Sequence, residues 1–328
     1  MFPIKLSKWF SFTASRDWFY RYSFTNAGLS SVTTNLGDGT VMHCWVPKIH
    51  KHSKPTLLLI HGFGANAMWQ YGEHLRHFTT RFNVYVPDLL FFGRSFTSRP
   101  ERTESFQASC LMKLMEAHGV PRMSLVGISY GGFVGYSMAA QFPEAVERVV
   151  LCCAGVCLEE KDMEDGLFKV SDLDEAASIL LPQKPEKLRQ LINLSFVKQA
   201  RVMPSWFLSD FINVMCKDFV EERRELNQTV LKDRSLSELP VIKQRHPSPS
   251  PNLVEVVVAI CALLAVIRAS EAIELMELEI KLKKASEILN LSKQGKVVWI
   301  HGAGNFTIKK AMRLLKELQE NDIVNGYT

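Results

Sequence analysis

The 328-residue chain is 47% hydrophobic and carries a formal net charge of +5, which suits one large α/β domain with an insertion, or two domains. Lys, Arg, Asp and Glu are mixed along most of its length, with no basic stripe or tail, so nucleic acid is not an expected partner. A core of normal size is available, so nothing calls for a disulfide or metal staple.

The cysteines, Cys44, Cys110, Cys152, Cys153, Cys157, Cys216 and Cys261, are odd in number and lack framework spacing. They read as reduced, buried thiols in a cytoplasmic setting. Cys153 and Cys157 have no second pair to complete a zinc site, so no metal is expected. Residues 1–30 read as an N-terminal arm. Arg16, Asp17 and Arg21 interrupt any apolar run of signal-peptide length, and Trp9, Phe10, Trp18, Phe19 and Tyr20 make the segment aromatic. An arm packing on the fold is expected, with a chloroplast transit peptide as the alternative.

Residues 31–157 alternate strand and helix. Thr33–Leu36 and Thr40–Val46 flank Gly37-Asp38-Gly39, a hairpin signal whose turn residues accept positive φ. Short apolar runs follow at Thr56–Ile60, Phe82–Val86, Ser124–Gly127 and Val149–Cys153. Continuous rather than alternating hydrophobicity implies burial on both faces, as in a parallel sheet. Between them, helices are predicted over Met68–Phe78, over Thr103–His118 with Thr103 as N-cap, and over Tyr130–Phe142 with Pro143 as its stop. This predicts a mostly parallel sheet with helices on both faces.

Residues 158–239 contain no strand-like run. Leu180, Leu188, Leu191, Ile192 and Phe196 recur at helical spacing, followed by Trp206, Phe207 and Phe211. A helical cap over the sheet is predicted, with ordinary core helices as the alternative. Residues 240–251 are proline-rich and form a stiff spacer. In the final part, 252–328, Leu253–Ile267 is apolar but short for a membrane span. A buried strand or strand plus helix is preferred there, and no stable span is expected. Glu271–Leu291 is helical in composition, Lys296–Ile300 reads as a last strand, and Thr307–Leu318 as a closing helix.

The chemistry concentrates in Gly127-Ile128-Ser129-Tyr130-Gly131. The bare pattern is common, but here a strand precedes it and a helix follows. A serine on so tight a turn presents its hydroxyl, and small flanking residues let strand and helix pass closely. His61-Gly62-Phe63-Gly64 follows the Thr56–Ile60 strand, and Pro87-Asp88-Leu89-Leu90-Phe91-Phe92-Gly93-Arg94-Ser95 follows the next.

On these motifs, from about Asn35 to Gln244, the chain resembles the α/β-hydrolase family. It looks closest to plant proteins grouped with monoacylglycerol lipases, carboxylesterases and meta-cleavage-product hydrolases. The resemblance implies Ser129 as nucleophile and the backbone N–H groups of Phe63 and Tyr130 as the oxyanion hole. It implies structural roles for His61 and Asp88, and no cofactor. Trp206, Phe207, Phe211 and Met215 in the cap suggest a small, apolar, ester-like substrate or ligand, or else serve to glue the cap on.

The pattern fails after Gln244. Laid on the family order of Ser, acid, His, the chain offers Glu271 as the acid and Asn305 where the His belongs. Asparagine cannot shuttle a proton. His246 lies in the spacer. His301, ending the last strand, is the alternative base, or else a structural or solvated residue. The C-terminal third therefore reads as divergent from the family. Two functions stay open: a serine hydrolase of carboxylic esters or related acyl or C–C bonds, and a weak or inactive relative that binds a small molecule.

Overall fold

Alternating side chains on four short apolar strands divide the core into two. In the computed structural model, which describes residues 11–156, 173–195, 203–232, 236–240, 242 and 297–300, the strands are β1 (Leu29–Gly37), β2 (Thr40–Pro47), β3 (Thr56–Ile60), β4 (Asn83–Pro87), β5 (Phe96–Thr97), β6 (Met123–Ile128), β7 (Val146–Cys152) and β8 (Val297–Ile300). They join in the order β1-β2-β4-β3-β6-β7-β8, with β5 paired to β2. From β4 to β8 every pairing is parallel, while β1, β2 and β4 are antiparallel.

Among the described residues the α-helices are α1 (Phe12–Asn26), α2 (Ala67–Tyr71), α3 (Leu75–Thr79), α4 (Glu104–Ala117), α5 (Tyr130–Gln141), α6 (Leu173–Leu180), α7 (Pro185–Ser195), α8 (Ser205–Met215) and α9 (Val220–Leu231). On one face of the sheet, Leu58, Ile60, Leu125, Val149 and Leu151 pack with Leu111 and Met115 of α4 and Val134 and Met138 of α5. On the other, Leu57, Leu59, Val84, Val86, Val126 and Val150 pack with Tyr20 and Phe24 of α1 and with Tyr71 and Phe78. Helices on both faces are why these strands read as unbroken apolar runs.

Local chemistry explains the turns and starts. Gly37, Asp38 and Gly39 all take positive φ, at 83°, 50° and 70°, and the Gly37 N–H donates to Asn35 Oδ1 at 2.9 Å. Thr103 caps α4 by accepting from the Phe106 N–H at 3.1 Å. Strand β1 begins at Leu29, ahead of the Thr33 start expected from the hairpin pattern.

The helix predicted over Met68–Phe78 is two pieces, α2 and α3. The break falls at Gly72, where an added Cβ would lie 2.6 Å from a Tyr20 ring carbon. The Tyr20 ring of α1 passes over that point, a tertiary contact that periodicity does not report.

Between β7 and β8 the regular elements among the described residues are helices. Leu188 of α7 and Leu208, Ile212 and Cys216 in and after α8 form a separate apolar cluster. The predicted segments Leu253–Ile267, Glu271–Leu291 and Thr307–Leu318 lie outside the described residues. Among the described residues no helix is long and apolar enough to cross a membrane.

Candidate active site

Strand β6 ends at Ile128 and α5 begins at Tyr130, leaving a single residue, Ser129, to reverse the chain. Ser129 takes φ 54° and ψ −121°, a strained conformation for a residue with a side chain. Its backbone is pinned: the Ser129 N–H donates to the Cys152 carbonyl, and its own carbonyl accepts from the Gly132 N–H, both at 2.8 Å. Ser129 occupies the N-cap of α5, where a serine ordinarily accepts from the first turn, yet its side chain makes no such bond. The hydroxyl is left for other work.

Glycine is obligatory around this turn. A Cβ at Gly127 would strike the Gly131 backbone, and one at Gly131 would strike the Ile60 and His61 carbonyls. Gly62 presses closest on the serine itself: a Cβ there would lie 2.9 Å from both Ser129 Cβ and the Ile128 carbonyl oxygen. The loop after β3 and the turn after β6 are therefore in backbone contact, as the parallel pairing of Ile60 with Gly127 requires.

His61 orients that loop. Its Nε2 accepts from the Leu89 N–H at 3.0 Å, which puts its proton on Nδ1, and Nδ1–H donates to the Gly62 carbonyl at 2.8 Å. Burial pushes its pKa below the ordinary histidine value, keeping it neutral. A trans peptide is planar, so with the Gly62 C=O turned to His61 the Phe63 N–H points the opposite way. Neither the Phe63 N–H nor the Tyr130 N–H donates to an acceptor among the described residues. Their rings meet edge to face at 4.7 Å.

Asp88 is fully engaged elsewhere. Its carboxylate bonds His43 Nδ1 at 2.9 Å and accepts from the Ala67 N–H at 3.1 Å and the Arg94 N–H at 3.3 Å. Burial alone would raise its pKa, but the His43 hydrogen bond and the nearby histidines bring it below the usual carboxylate value. Both His61 and Asp88 thus hold loops, as the motifs imply.

A cavity of about 210 Å³ beside this turn is lined by Asp17, Arg21, His43, Arg94, Asp218 and Arg223 among others, and not by Ser129. Met68, Phe92, Val214 and Met215 make the apolar part of its wall. Arg223 is the residue that sequence reasoning missed. It lies in the charged run Glu221-Glu222-Arg223-Arg224-Glu225, which reads as a solvated face. Instead it is buried, donating from Nε to the Phe91 carbonyl at 2.6 Å and from a terminal nitrogen to the Met215 carbonyl at 2.9 Å. Its guanidinium lies over the Phe92 ring at 4.6 Å. It ties α8 and α9 to the Asp88 turn.

Strand β8 lies directly beside β7, pairing Cys152 with Ile300, while Cys152 is one strand over from Ile128. Ile300 is therefore level with Ile128 at the carboxyl edge of the sheet, two strands away. His301, Glu271 and Asn305 lie outside the described residues, as does His246.

The parallel sheet with helices on both faces agrees with what comparison finds. The family model described as the alpha/beta hydrolase fold matches residues 55–207. The chain has the α/β-hydrolase fold. Superposition on the crystal structure of a candidate lipase from Acinetobacter baumannii covers 94% of this chain and 95% of that one, with TM-score 0.55 and 18% identity, a likeness of fold alone. In sequence, 100 residues are 33% identical to the (lyso)-N-acylphosphatidylethanolamine lipase of Bos taurus, 29% of each chain. A 128-residue match, 33% identical, is to the 1-acylglycerol-3-phosphate O-acyltransferase of Arabidopsis thaliana, 36% of this chain and 30% of that one. The chain spans about a third of the length of the relatives it matches.

Proposed function

We propose that this α/β-hydrolase is a serine hydrolase of carboxylic esters with an apolar acyl group. The observation that carries it is Ser129 held at φ 54° with its hydroxyl uncommitted to the helix cap. Ser129 Oγ attacks the acyl carbon, and its proton passes to a base. The Phe63 and Tyr130 N–H groups receive the developing oxyanion. The leaving alcohol takes the proton back, and water, activated by the same base, releases the acyl group from Ser129.

His301 is the base in this reading. Its support is the register of β8, which brings Ile300 level with the strand end preceding Ser129. Glu271 is the acid offered to orient it. Residues 158–239 serve as the cap over the acyl group, with Phe207, Phe211 and Met215 beside the apolar α7–α8 cluster. The spacer at 240–251 and the divergent segment 252–328 then complete the sheet through β8. The names of two relatives, a lipase and an acyltransferase, support acyl chemistry on an apolar chain.

The second reading, a small-molecule binder with little turnover, rests on Asn305 standing where the family order calls for His. Hydrolysis of p-nitrophenyl esters of increasing chain length separates them. Activity that vanishes in Ser129→Ala and His301→Ala, with melting temperature kept, supports the hydrolase. If only Asn305→His creates activity, His301 is not the base. If no variant turns over while an apolar ester analogue binds, the binder is correct.

A further inference from the structure

Helix α1 turns the wrong face outward for a helix that merely covers a sheet. Its inner stripe is Thr13, Asp17, Tyr20 and Phe24, and its outer stripe runs Phe12, Ser15, Trp18, Phe19, Tyr22 and Thr25. At helical spacing these outer residues share one face. That face carries large aromatics in water: Trp18 is 66% exposed, Phe19 and Tyr22 55% each. Trp18 and Tyr22 stack on one another at 6.0 Å.

The stripe continues at both ends. At the N-terminal end Phe12 meets Phe207 of α8 edge to face at 5.7 Å, and exposed Trp206 lies against Phe207. At the other end Lys48 Nζ donates to the Thr25 carbonyl at 3.1 Å. Lys48 opens the exposed loop Lys48-Ile49-His50-Lys51-His52, where Ile49 is 73% exposed.

The loop that continues the stripe carries only basic charge, at Lys48 and Lys51. No aspartate or glutamate occurs between Asp38 and Glu73. Three carboxylates near the stripe are already engaged, Asp17 with Arg21, Glu73 with Arg16, and Asp210 Oδ2 with the Thr13 N–H at 2.8 Å. Trp and Tyr, rimmed by lysines, are what a bilayer headgroup region selects, because their rings are apolar and their N–H and O–H groups stay hydrated, while Phe19 and Ile49 add apolar area beside them. A protein partner would have to match a nearly linear row about 22 Å long, the length of a 15-residue helix. A bilayer surface matches any row.

We infer that the outer face of α1, with the Lys48–His52 loop, docks the protein on a phospholipid surface that carries anionic headgroups. The aromatics enter the headgroup layer, and Lys48 and Lys51 face the anionic charge. This contact lies on the surface rather than across the bilayer and is independent of the chemistry at Ser129.

Flotation of the full chain with phosphatidylcholine vesicles, with and without phosphatidylglycerol, is the test. The parent should float with the phosphatidylglycerol vesicles and stay largely behind with phosphatidylcholine alone. Lys48→Gln/Lys51→Gln should weaken partition roughly 25-fold, about five-fold per lysine near an anionic surface. Trp18→Ser/Tyr22→Ser, at positions the core does not use, should abolish flotation with the melting temperature kept. Ser129→Ala should float like the parent. Equal flotation with both vesicle types, or no loss in the aromatic variant, overturns the inference. So does an aromatic variant that instead dissociates a dimer of the parent in sedimentation.

Discussion

The Nδ1–H of His61 donates to the carbonyl oxygen of Gly62 at 2.8 Å. That single bond sets the Gly62–Phe63 peptide, and the backbone of Gly62 is pressed against Ser129. Gly62→Ala tests the contact. The new Cβ would sit 2.9 Å from Ser129 Cβ and from the Ile128 carbonyl, so one of two backbones must move. A cost of about 1–3 kcal/mol is expected from overpacking, and ester turnover should fall about 100-fold, as for a misplaced catalytic group. Unchanged turnover would show that the loop does not serve the serine.

Ser129 gives a prediction of opposite sign. Its φ of 54° suits glycine far better than serine. Ser129→Gly should therefore raise stability by about 1 kcal/mol, relieved strain exceeding the added freedom of the unfolded chain. Ser129→Ala keeps the Cβ and should gain almost nothing. Both should be inactive. Chemical denaturation of the two variants side by side measures the difference, and a destabilised glycine variant would mean the turn is not strained.

His61 also makes stability depend on pH. Its folded-state pKa is lowered by burial, so in mildly acidic solution the unfolded chain binds the proton more readily than the folded one. The stabilisation is complete above the unfolded histidine value, about 6.5, and declines as pH falls below it. His74 and His118, also lowered by burial, add to the same limb. His61→Gln should lower the melting temperature at pH 8 yet flatten its decline between pH 6.5 and 5. A parallel curve would place the acid sensitivity elsewhere.

Arg223 has been given a structural role that only its contacts reveal. Arg223→Met leaves the Phe91 and Met215 carbonyls without their donor, so a loss of about 2–4 kcal/mol is expected. Arg223→Lys should recover little, because one ammonium cannot reproduce the guanidinium fork. Hydrogen exchange should quicken first in α9. Slow exchange there in the methionine variant would refute the tie.

The contrast between Arg223 and β3 shows what was legible beforehand. Thr56–Ile60 is legible with its final bounds because the four adjacent apolar side chains Leu57–Ile60 have few homes other than a strand covered on both faces. The Ser129 turn was legible for a similar reason, since Gly127 and Gly131 have no alternative at such close approach. Arg223 was not, because a buried arginine satisfied by carbonyls has the same local sequence as a solvated one. The break at Gly72 depends on a ring from α1, more than fifty residues earlier. For Glu271 and His301 the sequence offers candidates without a motif, and they stand outside the described structure.

The most direct test of the proposed chemistry is covalent labelling. A fluorophosphonate reacts with a serine only where a base and an oxyanion hole activate it. Peptide mass spectrometry after treatment of the full chain should find one adduct, on Ser129, absent from Ser129→Ala and strongly reduced in His301→Ala. Folded protein that leaves Ser129 unmodified would contradict the serine-hydrolase account.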